Sequence, residues 1–245
     1  MEDVWDRLAP KQYLLLNEKK DLTFHNIFLP TIIDIIGKDN NFKSYCVLDA
    51  GCGTGYLSGI VSKFAHNVIG IDTSSVSINI AKYHNRNIDN ISFIIGNLGD
   101  YLTSNSKTFD FVLAHLVLHT LEDLNSTLQV ISNCLKSGGQ FLFSIPHPCF
   151  WALASNIGTW RFLNSSNYKY YINSAQQNIT VMNGEEYITP YYHRTIETYT
   201  SCLNNNGFVI RLILEPIPDD DMMLRYNLKP WPYPRFLFVI CQMIQ

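Results

Sequence analysis

The sequence predicts an α/β fold, a parallel β-sheet with helices on both faces and an aromatic insertion near its end. Three observations carry that expectation. Short apolar runs alternate with segments of helical spacing from residue 45 to residue 146, joined by short links, the pattern of a parallel sheet covered on both sides. A glycine cluster, Gly51-Cys52-Gly53-Thr54-Gly55, follows the first apolar run. After Pro148 the rhythm stops, and it resumes only near residue 192.

Taken in order, residues 1–44 form a helical lead-in. Residues 45–49, Tyr-Cys-Val-Leu-Asp, form a buried strand that ends at the glycine cluster. In residues 56–64, Leu57, Ile60, Val61 and Phe64 keep helical spacing. Residues 67–72 form a second strand, and Ser74 or Ser75 caps a helix that runs to about Asn85. Residues 91–95 and 109–114 form the third and fourth strands. A helix over 121–135 is stopped by Gly138-Gly139. Residues 140–145 form the fifth strand, broken by Pro146 and Pro148. Residues 149–191 show no helix-strand unit and many aromatics. A helix over 194–206 and strands over 208–214 and 235–241 complete a single domain of 245 residues, divided at 1–44, 45–148, 149–191 and 192–245.

Bulk composition excludes several classes. The net charge is -3 and no basic run exceeds Lys19-Lys20, so the basic face that nucleic acid requires is missing. No stretch approaches the roughly 18 apolar residues of a membrane span, and the charged N-terminus lacks the apolar core of a signal peptide. Six cysteines occur with no C-x-x-C pair, which reads as reduced thiols in a cytoplasmic protein. Asp219-Asp220-Asp221 reads as a solvated loop, and no metal site is expected.

The glycine cluster lets backbone approach a ligand at the end of the first strand. Asp72 ends the second strand, placed to accept hydrogen bonds from a ribose diol. Two cofactor classes compete for this pattern. The dinucleotide fingerprint G-x-G-x-x-G needs a third glycine where this chain has Tyr56. Asp49, two residues before Gly51, would repel a pyrophosphate but suits a ligand bearing an ammonium and a sulfonium. The contrast favours S-adenosylmethionine over NAD.

Val47-Leu48-Asp49-Ala50-Gly51-Cys52-Gly53-Thr54-Gly55 resembles the first motif of class I methyltransferases. The resemblance continues through Ile71-Asp72 and Phe109-Asp110-Phe111-Val112 to Leu135-Lys136-Ser137-Gly138-Gly139, where Ser137 replaces the family's proline. It covers about residues 45–146 and implies a Rossmann-like, seven-stranded, mostly parallel sheet with an antiparallel last strand. It also implies a cofactor site. Asp49, Gly51, Cys52, Gly53, Gly55, Tyr56 and Leu57 hold the methionine end, with His115 beside it; Asp72 and Thr73 hold the ribose. Asn97 and Leu98 stand at the adenine, Asn97 in place of the family's aspartate, with Asp100 the substitute if the loop is shifted.

The sequence after the fourth strand, Ala114-His115-Leu116-Val117, lacks the Asn/Asp-Pro-Pro-aromatic motif of methylases that act on nucleic-acid amino groups. The paired glutamates of protein arginine methyltransferases are also missing. What remains is a small methyl acceptor, planar or hydrophobic, covered by the lead-in and the aromatic insertion. Tyr13, His25, Phe150, Trp151, Trp160, His193 and Arg194 are the candidate acceptor-binding residues. His119 and His147, after strands four and five, are the candidate proton acceptors, since histidine takes a proton near neutral pH. Two other readings are a non-catalytic interaction module of this fold, disfavoured by the intact Asp49, glycines and Asp72, and an NAD-dependent oxidoreductase, disfavoured by Tyr56.

Overall fold

A computed structural model describes residues 3–102, 108–151, 160–162, 173–182 and 185–244. The chain opens with α1 (Val4–Asn17), a π-helical turn (Phe24–Phe28) and α2 (Leu29–Gly37). The alternating core follows: β1 (Cys46–Ala50), α3 (Tyr56–Val61), β2 (Asn67–Asp72), α4 (Ser75–His84), β3 (Ile91–Ile95), α5 (Leu98–Leu102), β4 (Phe109–His115), α6 (Leu124–Cys134) and β5 (Leu135–Pro146). Three further strands, β6 (Trp160–Phe162), β7 (Ser174–Met182) and β8 (Glu185–His193), precede α7 (Ile196–Asn205), β9 (Phe208–Leu214), α8 (Asp220–Arg225) and β10 (Phe236–Met243).

The main sheet has seven strands in the order β3-β2-β1-β4-β5-β10-β9. The first five pair in parallel, and β10 is antiparallel to both β5 and β9. The strands are apolar at nearly every position because both faces are covered. In β4, Val112 and Ala114 pack towards α6 and α7 on one face, with Leu124, Leu128, Tyr199 and Leu203. Phe111 and Leu113 pack on the other face with Phe28, Ile32, Leu57 and Val61. Chain reversal between β1 and β4 puts the C-terminal ends of five parallel strands along one edge. The glycine cluster, Asp72, His115 and His147 all lie there.

Three expectations change. The insertion contains regular structure: β6, β7 and β8 form a separate antiparallel sheet, with β8 reaching His193, past the expected boundary. The expected helix over 121–135 starts at Leu124, because Asp123 accepts the Ser126 N–H at 2.9 Å and caps it. The fifth strand starts at Leu135, five residues early. A register shift between Phe109 and Phe111 lets β4 pair both Leu135 and Gln140, carrying the Lys-Ser-Gly-Gly turn inside the strand. Among the described residues no helix is long and apolar enough to cross a membrane, and all six cysteines are free thiols.

Candidate active site

The glycine cluster turns tightly off β1. Gly51 and Cys52 N–H both donate to Ile71 O, at 2.8 and 3.0 Å, tying the loop to the end of β2. Gly51 has φ 76°, and a Cβ there would collide with the Val117 side chain. Gly53 has φ 52°, yet among the described residues no atom beyond its chain neighbours lies within 4 Å of where its Cβ would point. The loop is therefore held close to protein at Gly51 and open at Gly53.

Two carboxylates frame it. Asp72 Oδ2 accepts the Gly53 N–H at 2.8 Å, and Oδ1 accepts the Ser74 N–H at 2.9 Å. Burial raises its pKa, those two bonds lower it, and Asp3 and Asp6 add a raising influence. Asp49 is 2% exposed and accepts the Ser58 hydroxyl at 2.5 Å. Burial pushes its pKa up to about 7, against the Ser58 bond, with the Asp72 charge adding to the rise. Among the described residues neither carboxylate has an ion-pair partner. A buried carboxylate without a cation is costly, and a ligand that brings an ammonium and a sulfonium supplies one. The open Gly53 and this unpaired acid set fit S-adenosylmethionine and oppose a pyrophosphate.

The rest of the proposed cofactor set lies around this cradle. Tyr56 and Leu57 open α3 behind Gly55, and Thr73 is exposed beside Asp72. At the end of β3, Asn97 is exposed and its side-chain oxygen accepts the Gly99 N–H at 2.9 Å, capping α5. Leu98 packs on the core beneath. Past β4 the backbone turns at Leu116, φ 55°, which lays Val117 over Gly51. A left-handed non-glycine residue at such a place is a stored strain.

The histidines at this edge differ in what their nitrogens do. His115 Nδ1 is 2.6 Å from Ser144 Oγ. His119, 6% exposed, has an Nδ1 with no hydrogen-bond partner among the described residues, beside the Tyr191 ring at 5.6 Å. Burial lowers its pKa to about 3, helped by Arg194 and His115. His147 is fully engaged. Its Nδ1 accepts the Cys149 N–H at 3.1 Å, which puts the ring proton on Nε2, donated to Glu215 Oε1 at 2.7 Å. The structure therefore corrects the expectation that His147 is a free proton acceptor: it pins the Pro-His-Pro segment to residue 215.

Arg194 also departs from expectation. Its guanidinium donates to Leu118 O at 3.2 Å, Leu121 O at 2.5 Å and Glu122 O at 2.7 Å. With a longer bond to Tyr192 O at 3.5 Å, both terminal nitrogens are engaged by carbonyls, and the guanidinium braces the turn that carries His119. His193 is buried beside it at the end of β8. Phe150 stacks between His147 and Tyr233, at 4.6 and 5.5 Å, and Trp151 is buried against Phe236. Tyr13 stacks on His84 at 3.9 Å, and His25 Nε2 is bonded to Leu16 O at 2.8 Å with its ring edge-on to Tyr56. Trp160 begins β6, opposite Thr180 in register. Three further aromatics of the insertion, Tyr168, Tyr170 and Tyr171, lie outside the described residues.

Sequence reading missed the strap across this edge. On α1, Asp6 accepts the Ser74 hydroxyl at 2.6 Å and the Val76 N–H at 3.2 Å, at the start of α4. Five residues on, Lys11 Nζ donates to Glu185 Oε2 at 2.5 Å and to the Tyr187 hydroxyl on β8. The lead-in thus touches both the segment after Asp72 and the insertion. Its only signal was the charge pattern of α1, which looks solvated in isolation.

The chain shares this architecture with known proteins. The family described as "Methyltransferase domain" matches residues 41–199, well over half of the chain. The ubiquinone biosynthesis O-methyltransferase of Colwellia psychrerythraea is 32% identical over 113 residues, 46% of each chain. Its Coxiella burnetii counterpart is 31% identical over 119 residues, 47% of this chain and 49% of that one. The chain thus matches about half the length of these curated relatives. Among solved structures, a Listeria monocytogenes protein inferred to be an S-adenosylmethionine dependent methyltransferase is 26% identical. It has a TM-score of 0.66, over 87% of this chain and 98% of its own. An S-adenosylmethionine dependent methyltransferase from Mesorhizobium loti, 22% identical, shares the fold with a TM-score of 0.67, over 85% and 95% of the two chains. With sheet order, cradle and family match in agreement, the chain belongs to the methyltransferase domain family.

Proposed function

We propose that this protein transfers a methyl group from S-adenosylmethionine to an oxygen or nitrogen atom of a small aromatic or heterocyclic metabolite. The observation that carries the reading is a pair of carboxylates, buried Asp49 and half-buried Asp72, set around an open glycine cradle with no cation paired to them among the described residues. When bound, S-adenosylmethionine supplies an electrophilic methyl on a sulfonium, which the acceptor's lone pair takes as the sulfur keeps the bonding pair. Asp49 and the cluster would hold its amino-acid end, Asp72 its ribose, and Asn97 and Leu98 would border the base.

The curated relatives are O-methyltransferases, which favours oxygen as the accepting atom. His119 is the hydrogen-bond acceptor for the acceptor's hydroxyl in this proposal, through its Nδ1, which has no partner among the described residues. With its pKa near 3 in the closed site, it receives a hydrogen bond better than it removes a proton. Positioning therefore carries most of the rate acceleration. Trp151, Phe150 and Tyr191 supply an apolar wall, and exclusion of water follows from closure of the lead-in and insertion over it.

The test is S-adenosylhomocysteine release measured over a panel of phenols, catechols, carboxylates, amines and nitrogen heterocycles. Turnover with a planar hydroxylated acceptor is the expected result. Cofactor binding with no turnover over the whole panel would instead favour a non-catalytic module of the same fold.

A further inference from the structure

His115 is oriented from behind by a residue of the neighbouring strand. Ser144 faces it in the β4–β5 register, and Ser144 Oγ lies 2.6 Å from His115 Nδ1. The same oxygen receives the Leu116 N–H at 3.2 Å, which also reaches Ser144 O at 3.0 Å. Ser144 is 1% exposed. Among the described residues its hydroxyl proton has one acceptor within reach, the His115 ring. Burying a hydroxyl donor with no acceptor is costly. The hydroxyl therefore donates to Nδ1, and the neutral ring carries its own proton on Nε2. That nitrogen has no partner among the described residues, and the residue as a whole is half-buried. Its surroundings are otherwise aromatic: Phe28 at 4.8 Å, Phe24 at 6.0 Å and Phe238 at 6.3 Å. Phe24 and Phe28 bound the π-helical turn of the lead-in, a rare conformation frequent at functional sites.

We infer that His115 offers an N–H donor to the methyl acceptor, and that Ser144 is the positioning residue that fixes this tautomer. The acceptor class this selects carries a hydrogen-bond-accepting oxygen, phenolic or carbonyl, on a planar apolar body suited to the aromatic surroundings that Phe24 and Phe28 give the His115 ring. The inference rests on the methyl-transfer reading and moves His115 from the cofactor's side to the acceptor's. An N–H aimed at an oxygen steadies negative charge there, so the ring polarises the acceptor and takes no proton from it. Burial keeps the ring neutral, with its pKa lowered to about 3, so the donor stays in place at neutral pH.

The test begins without turnover. Long-range proton–nitrogen correlation spectra of the full chain with isotope-labelled histidine, at neutral pH, report which nitrogen of each ring is protonated. His115→Asn identifies the resonance. The expected result is Nε2–H in the wild type, loss of that preference in Ser144→Ala, and its return in Ser144→Thr. Nδ1–H in the wild type, or a tautomer unchanged by Ser144→Ala, overturns the proposal, whatever the chain methylates. The second arm is kinetic. Ser144→Ala should lower kcat/KM for oxygen-bearing acceptors about tenfold or more, with S-adenosylhomocysteine affinity unchanged. A fall in that affinity would put His115 on the cofactor and overturn the acceptor assignment. A chain that binds the cofactor but methylates nothing would sink the methyl-transfer reading and leave the spectroscopic result standing.

Discussion

Asp49, 2% exposed beside a second acid, has no cation paired to it among the described residues. Its pKa, about 7 in the fold against 3.8 ordinarily, means the folded chain holds the proton more tightly than the unfolded chain. The stability this contributes is fully present below about pH 4 and is lost as pH rises through 7. The unliganded protein should therefore lose thermal stability between pH 5 and 8. Asp49→Asn should flatten that fall, raise Tm at pH 8, and weaken S-adenosylmethionine about tenfold or more. Thermal melts and binding titrations across that range check it; an Asp49→Asn protein less stable at pH 8 than wild type would contradict the account. Asp49, the glycines and Asp72 were legible in the sequence because strand, turn and acid fall at fixed spacing. The states of the histidines were not. Whether a ring nitrogen meets Glu215, Ser144 or nothing depends on residues 68, 29 or more positions away.

At the scale of elements, the core from β1 to β5 was readable from periodicity, since its strands carry short apolar runs and its main helices keep an apolar stripe. The insertion misled for a physical reason. Its strands form a small sheet with exposed positions, so their apolar runs are short and the aromatics dominate the pattern. A cue was present in Asn183-Gly184, a dipeptide that favours tight hairpin turns, between β7 and β8. Arg194 was misread for a related reason: an arginine entering a helix looks free in sequence, whereas here it joins the start of α7 to the turn after β4. Arg194→Ala leaves buried carbonyls unpaired and should cost roughly 2–4 kcal/mol in urea unfolding. Arg194→Lys should recover only part of that, because an ammonium lacks the planar fork. Full stability in Arg194→Ala would show the brace to be dispensable.

Over the whole molecule, the parallel strands bring the cradle, the histidines and the acceptor wall to one edge of the sheet. The strap of α1, from Asp6 to Lys11, then joins the cofactor side of that edge to the insertion. The central claim is that this edge binds S-adenosylmethionine through an acid-lined cradle, and calorimetric titration tests it most directly. Wild-type protein is titrated with S-adenosylmethionine, S-adenosylhomocysteine and NAD, and Asp72→Ala with the first two. The account predicts dissociation constants of about micromolar or lower for the sulfur ligands and no binding of NAD. Asp72→Ala should lose roughly 1.5–3 kcal/mol. Binding of NAD, or an Asp72→Ala protein with undiminished affinity, would contradict it.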